Sequence, residues 1–412
     1  MASASGIRLG NGSIVYMSPQ EKGARKRLEV GTRLKKLPPY LFVDIDRKRE
    51  EAVKKGADII HLGIGDPDLP TADAVVEKMA QAIKKPENHR YPLGRGTRVL
   101  REAIAGWYKR RFNVDLDPET EITTLIGSKE GIGHLPLALT DPKDDVLVPN
   151  PGYPPYFSGT VLAGAHPVPF PLDEVNRFLP DFDVLEHLDT KRVRLMFLNY
   201  PNNPTGAVAP LSLFKDAIEF ARQRKIWLAH DNAYSELYYD APPPSMLQTP
   251  GAKDITVEFH SLSKTFCMTG WRMGFACGNA QAIKALAQVK DNYDSGVFGA
   301  IQETAAFCLD NAEKLSESPR EEFSRRKTLF VEGLRKLGYE VFDPSGGLYV
   351  WVKVPEGQTS KSCAERILDE AAVICTPGNG FGDNGEGYIR FTLTAPEKRL
   401  KEALERLERV KW

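Results

Sequence analysis

Seven short apolar runs recur along the middle of the chain, at 122–126, 146–148, 168–170, 195–199, 226–229, 256–259 and 273–277. Amphipathic stretches such as 131–139 and 213–224 separate several of them. A run that is apolar throughout, rather than at alternate positions, belongs to a strand covered on both faces. Strand–helix alternation of this kind predicts an α/β layer around a mostly parallel sheet of seven strands. After Gly299 the pattern changes to one long helical region from 301 towards 337, two strands at 340–342 and 348–352, a helix around 363–372, a strand at 388–393 and a last helix at 397–410. That is an α+β unit of its own. Upstream of the sheet, a helical pattern at 43–56 places Phe42, Ile45 and Val53 inward, and a helix at 100–112 follows the glycine-containing turn at 91–96. Between them a short strand at 59–62 runs into Gly63, Gly65, Asp66 and Pro67, a turn where backbone can approach a ligand closely.

The length of 412 residues exceeds the ~250–300 at which single cores stop growing, so two domains are expected. The division read from the pattern is an N-terminal extension at 1–35, a smaller α+β domain made from 36–70 with 300–412, and a larger α/β domain at 71–299. Lys and Arg together number 55, as do Asp and Glu, so no basic field favours nucleic acid or a membrane surface. Five cysteines without a CxxC pair argue against a disulfide framework or a zinc site and suit a reducing, cytoplasmic setting. No apolar run approaches the ~18 residues of a membrane span. Residues 1–20 lack the apolar segment of a secretory signal and read as an unstructured extension.

In an open α/β sheet ligands sit beyond the carboxyl ends of the strands, so the residues after each run carry the candidate chemistry. Gly127, Ser128 and Lys129 follow the first run and open a helix, whose free N–H groups and positive end suit a phosphate. Small polar residues cap many helices, so this signal is weak alone. After the second run Tyr153 sits between Pro151 and Pro154, a rigid flat face for an aromatic ring or simply a packed loop residue. After the fourth run comes Asn203, whose amide can donate to a phenolate oxygen. After the fifth come Asp231 and Tyr234. A carboxylate leaving a buried strand needs a cationic partner. A protonated pyridine nitrogen is one, and keeping it protonated makes the ring an electron sink. Tyr234 is spaced to reach an oxygen of the same ring.

After the sixth run stand Ser261, Ser263 and Lys264, with Arg272 eight residues further on. A lysine captures a carbonyl once its pKa falls from the ordinary value of about 10.4. Two hydroxyls and an arginine beside it hold a phosphate dianion. Lysine and phosphate cradle together suggest pyridoxal phosphate.

Asn203-Pro204-Thr205-Gly206, Asp231-x-x-Tyr234, Ser261-x-Ser263-Lys264 and Arg272, in this order and spacing, resemble the class I/II aminotransferases of pyridoxal-phosphate fold type I. The resemblance runs from about residue 40 to the end of the chain. It implies pyridoxal 5′-phosphate as cofactor. Lys264 is then the lysine that bonds the cofactor and moves the proton, and Asp231 partners the ring nitrogen. Asn203 and Tyr234 hold the ring oxygen, and Tyr153 stacks on the ring. Ser128, Lys129 through its backbone, Ser261, Ser263 and Arg272 form the phosphate cup. In such enzymes a tyrosine of the neighbouring subunit reaches the phosphate, and Tyr91 matches it, so a homodimer with shared sites is implied. Arg390 in Tyr388-Ile389-Arg390-Phe391 resembles the late arginine that grips the substrate α-carboxylate. Gly65 matches the backbone that closes over the substrate.

Leu37-Pro38-Pro39-Tyr40 with Gly63-Ile64-Gly65-Asp66 resembles the opening of LL-diaminopimelate aminotransferases, an amino-acid (lysine) biosynthesis group in which residues matching Tyr40 and Lys129 contact substrate. A substrate with a second ammonium and a second carboxylate needs extra polar groups, and Tyr40, Lys129 and Arg95 can supply them. The stretch Ser295-Gly296-Val297-Phe298-Gly299 departs from that group, lacking its distal-end asparagine. The implied reaction is ping-pong transfer of an amino group to 2-oxoglutarate. Rival readings are aspartate or broad-specificity aminotransferases and, from another class, a fold type I C–S β-lyase. A regulator on this fold would need a DNA-binding domain, for which the stretch before Tyr40 has no room.

Overall fold

The computed structural model describes residues 6–8, 14–16, 28–37, 54, 56–92 and 94–412. The first unit, up to Pro38, contains two antiparallel strands, Gly6–Arg8 and Ile14–Tyr16, and a helical turn at Leu34–Lys36. Paired strands thus stand where an unstructured extension is expected from composition. The expected helix at 43–56 falls almost wholly outside the described residues.

All seven expected strands form one sheet. In chain order they are β1 (Ile122–Leu125), β2 (Asp145–Asn150), β3 (His166–Pro171), β4 (Val193–Asn199), β5 (Trp227–Asp231), β6 (Thr256–Ser261) and β7 (Gly274–Gly278). They lie in the order β1-β7-β6-β5-β4-β2-β3. Only β7 runs antiparallel to its neighbours. Every residue of β1 and β6 is buried, the signature of a sheet covered on both faces. Helices Arg98–Phe112 and Leu211–Arg224 each present one apolar stripe to it (Leu100, Ile104, Trp107 and Tyr108 on the first; Phe214, Ala217, Ile218 and Ala221 on the second).

A second, antiparallel sheet joins Val341–Phe342, Tyr349–Lys353, Tyr388–Thr392 and Thr376–Pro377. Its apolar cluster is separate from that of the large sheet and includes Phe330, Val350, Ile367, Phe391 and Leu400. The short strand Ile60–His61 pairs in parallel with Val373–Ile374, which brings residues 63–68 to this sheet. The long helix expected after 301 is two helices, Gly299–Asp310 and Ala312–Lys336, divided at Asn311, whose backbone leaves helical geometry. Among the described residues no helix is long and apolar enough to cross a membrane.

Candidate active site

Strand pairing assembles the first part of the site. Asn199 and Asp231 end β4 and β5 in register, so the Asn199 amide donates to the Asp231 carbonyl at 2.8 Å, and its Oδ1 accepts the Asn203 N–H at 2.8 Å. The Tyr156 hydroxyl donates to Asp231 Oδ2 at 2.8 Å from a ring stacked on Phe197 at 4.9 Å. Asp231 Oδ1 is buried and has no hydrogen-bond partner among the described residues. Burial pushes this carboxyl up to about 6, against the pull of the Tyr156 hydroxyl, the His230 charge and the Ala233 N–H. His230, one residue earlier, is bonded to buried Glu258 at 2.8 Å, and Glu258 also meets His260 at 3.0 Å. Burial alone would raise Glu258, but the two imidazoles outweigh it and hold the carboxyl well below its usual range.

A second convergence forms where β6, β7 and β1 meet. Gly274 pairs with Ser261 on one side and Leu125 on the other, which draws the turn after β1 towards the lysine segment. Gly127 has φ of 75°, and a β-carbon there would strike the Arg272 guanidinium, so glycine is required twice over. Helix Ser128–Leu139 starts at that point. A β-carbon on Gly274 would meet the Ser128 N–H, so the helix start, Ser261 in the paired strand and Arg272 stand close together, with Ser263 buried two residues on. Lys264 Nζ donates to the Gly65 carbonyl at 2.6 Å. Burial lowers its ammonium to about 8; nearby Asp66 resists this, and Arg272 and Arg390 reinforce it.

The third part is a buried arginine. Arg390, 1% exposed, donates to Asn203 Oδ1 at 2.7 Å and to the Gly63 carbonyl at 2.6 Å. Its guanidinium lies 4.2 Å from the Tyr349 ring centre and 4.6 Å from that of Phe381. Because Asn203 Oδ1 accepts from Arg390, the Asn203 side-chain N–H groups are left to donate elsewhere. The Tyr234 and Tyr349 hydroxyls are 2.7 Å apart. Segment 63–71 is strapped over these groups: Thr376 binds the Gly63 carbonyl, Thr394 the Ile64 carbonyl, Arg326 the Asp68 carboxylate, and Thr71 the Cys267 carbonyl.

A lysine of lowered pKa, a buried arginine and a carboxylate with one unpartnered oxygen are therefore linked through Gly65, Gly63, Asn203 and Asn199 into one cluster at the strand ends. Residues 57–407 match the family model for aminotransferase class I and II. The chain is 50% identical over 384 residues to LL-diaminopimelate aminotransferase of Aquifex aeolicus, covering 93% of this chain and 99% of that one. It is 49% identical to the enzyme of the same name from Moorella thermoacetica, covering 93% and 98%. It superposes on apo-BacF of Bacillus subtilis with a TM-score of 0.90 at 38% identity, covering 94% and 99%. The chain belongs to the class I and II aminotransferases. Its fold is type I and its cofactor is pyridoxal 5′-phosphate.

The aminotransferase pocket fits that group. The orphaned, buried Asp231 Oδ1 is the acceptor a protonated ring nitrogen needs, and the helix start beside Arg272 offers N–H groups and a guanidinium to a phosphate. Tyr153 stands edge-on to Tyr156 at 5.7 Å, on the Asp231 side of the pocket. Lys129 is exposed on the first turn of its helix, and Tyr91 is 89% exposed. Tyr40 lies outside the described residues. Arg95 needs correction as a candidate substrate contact. Its guanidinium donates to the Glu119 and Ile122 carbonyls at 2.6 and 3.0 Å and serves the edge of the sheet instead. Sequence reasoning missed Tyr156, Tyr349, Asn199 and the Arg326–Asp68 pair. Of these only Asn199 had a signal, its position at the end of an apolar run.

Proposed function

We propose that this aminotransferase moves an amino group from LL-diaminopimelate to 2-oxoglutarate by a ping-pong cycle, as a cytoplasmic homodimer. The observation that carries the substrate choice is the 50% identity over 93% of the chain to the Aquifex enzyme. The larger lobe, 71–299, supplies the cofactor contacts, and the lobe made of 36–70 with 300–412 supplies Gly65 and Arg390.

When bound, pyridoxal phosphate supplies an aldehyde that accepts the amino group and a ring that takes up the electron pair released at the substrate Cα. Asp231 Oδ1 holds the ring nitrogen protonated. Asn203 and Tyr234 donate to the ring oxygen, and Tyr153 covers the ring face. Ser128, the Lys129 backbone, Ser261, Ser263 and Arg272 grip the phosphate, joined by Tyr91 across the dimer. Lys264 Nζ, brought to about 8 by burial, is partly neutral at physiological pH. It takes the proton from Cα and returns it at the cofactor's aldehyde carbon. Arg390 turns its fork on the α-carboxylate while the Gly65 backbone closes above. By resemblance Tyr40 and Lys129 are further substrate contacts.

A half-reaction panel tests this reading, with LL- and meso-diaminopimelate, aspartate, alanine, tyrosine and cystathionine as donors. LL-diaminopimelate should abolish the cofactor's visible band fastest, without release of ammonia or thiol. A clear preference for aspartate would move the assignment to an aspartate aminotransferase. Pyruvate and thiol released from cystathionine would make it a lyase.

A further inference from the structure

Tyr349 sits in the strand Tyr349–Lys353 of the smaller sheet and touches three parts of the site at once. Its hydroxyl is 2.7 Å from that of Tyr234. Its ring lies under the Arg390 guanidinium, 4.2 Å from the ring centre to Cζ. Its hydroxyl edge packs against Gly65, where any β-carbon would collide with it. The residue is 4% exposed, and so has no freedom to serve these contacts one at a time.

The hydroxyl contact has a direction. Tyr234 has one proton, and if that proton goes to Tyr349, Tyr234 can only accept. If Tyr349 donates instead, the Tyr234 proton is free for an oxygen in the pocket. An anionic ring oxygen beside Tyr234 favours the second arrangement, because hydrogen bonds to an ion are the stronger ones and each bond in a chain polarises the next. The ring contact is a separate matter. Arg390 is buried with two carbonyl-type acceptors and no carboxylate partner among the described residues, so the Tyr349 and Phe381 faces carry part of its charge.

Resting on the reading above, we propose that Tyr349 is a positioning residue with two separable parts: its hydroxyl, donating to Tyr234, strengthens Tyr234 as the donor to the cofactor's ring oxygen, and its ring face holds Arg390 ready for the substrate carboxylate. The two parts can be removed in turn. Tyr349→Phe deletes the hydroxyl and keeps the ring; Tyr349→Leu deletes both.

The test uses the cofactor-loaded enzyme and two readings: the pH midpoint of its visible band, and the Ki of glutarate, a plain dicarboxylate, against the half-reaction with the best donor of the panel. Tyr349→Phe should raise the midpoint by about half a unit or more, since the ionised ring oxygen loses support, and leave glutarate binding as in wild type. Tyr349→Leu should weaken glutarate about 30-fold, the order of a desolvated cation–π contact. An unshifted midpoint in Tyr349→Phe, or lost glutarate affinity in that variant, overturns the division of labour, as does full affinity in Tyr349→Leu. If Tyr349→Leu does not fold, the two Tyr349→Phe readings decide. A wild-type enzyme that shows no half-reaction with any donor defeats the aminotransferase reading itself, an outcome distinct from any result on Tyr349.

Discussion

Replacing Asp231 by Asn in the cofactor-free protein removes a charge that the fold holds at a cost. The carboxyl is fully buried and titrates at about 6 against an ordinary value of 3.8. A carboxyl whose pKa is raised on folding binds its proton more tightly folded than unfolded. The penalty is therefore absent below the unfolded value, grows as pH rises from about 4, and is complete above about 6. A shift of about 2 units corresponds to about 3 kcal/mol at ~1.4 kcal/mol per unit. Asn cannot ionise and so shows none of this. Denaturant unfolding of both apo proteins at a series of pH values should give curves that agree in shape below pH 4. Between pH 4 and 6 the wild type should lose about 3 kcal/mol relative to Asp231→Asn, with no further divergence above. Slope decides here, since the Asn amide brings an unsatisfied N–H of its own that offsets absolute stability. Adding pyridoxal phosphate should remove the wild-type deficit, because a protonated ring nitrogen pairs the orphaned oxygen, and should do much less for Asp231→Asn. Parallel apo curves across the whole range would refute the argument that Asp231 is strained by burial and relieved by the cofactor.

Three further perturbations follow from the same geometry. Lys264→Ala should still bind pyridoxal phosphate, now dialysable, because the proposed phosphate contacts and Asp231 remain; turnover should vanish, and any retained activity measured after dialysis against fresh cofactor would remove Lys264 from proton transfer. Gly65→Ala drives a β-carbon into the buried Tyr349 ring and hydroxyl, a clash that should cost about 1–3 kcal/mol of stability, and since a misplacement of about 1 Å costs ~10²-fold, steady-state kcat/KM should fall about 10- to 100-fold. Lys290, wholly buried, bridges Glu130 at 2.7 Å and Asp294 at 3.2 Å; Lys290→Met leaves Glu130 with His134 and the Ile126 N–H, and Asp294 with the Gly296 N–H, and should cost about 1–3 kcal/mol near neutral pH. Burial would raise the Glu130 carboxyl, but His134 and Lys290 hold it below its usual range, so that cost should shrink as pH falls below about 4.5; equal losses at pH 4 and pH 8 in denaturant melts would show that packing rather than charge is at stake.

How far the site could be read in advance follows from how each part is built. Asp231, Asn203, Ser261, Ser263 and Lys264 sit at the ends of buried strands, and strand order alone carries such residues to one edge of the sheet. An apolar run followed by a polar residue is therefore nearly the whole specification of a proposed cofactor contact. Tyr156, Tyr349 and Arg326 are different. Tyr156 meets Asp231 across 75 positions, Tyr349 meets Tyr234 across 115, and Arg326 meets Asp68 across 258. Each contact depends on a helix or a second sheet packing in one particular place, and no local pattern encodes that. The division matches the chemistry. Cofactor groups have fixed shape, so backbone topology can present them with little help. In the proposed cycle substrate groups are met by Arg390 and Gly65, which the smaller sheet and the strap at 63–71 must hold in place through long-range pairs. Chains sharing the strand-end residues can thus keep one cofactor while the packing around Tyr349, Arg390 and Gly65 decides which carboxylates they accept.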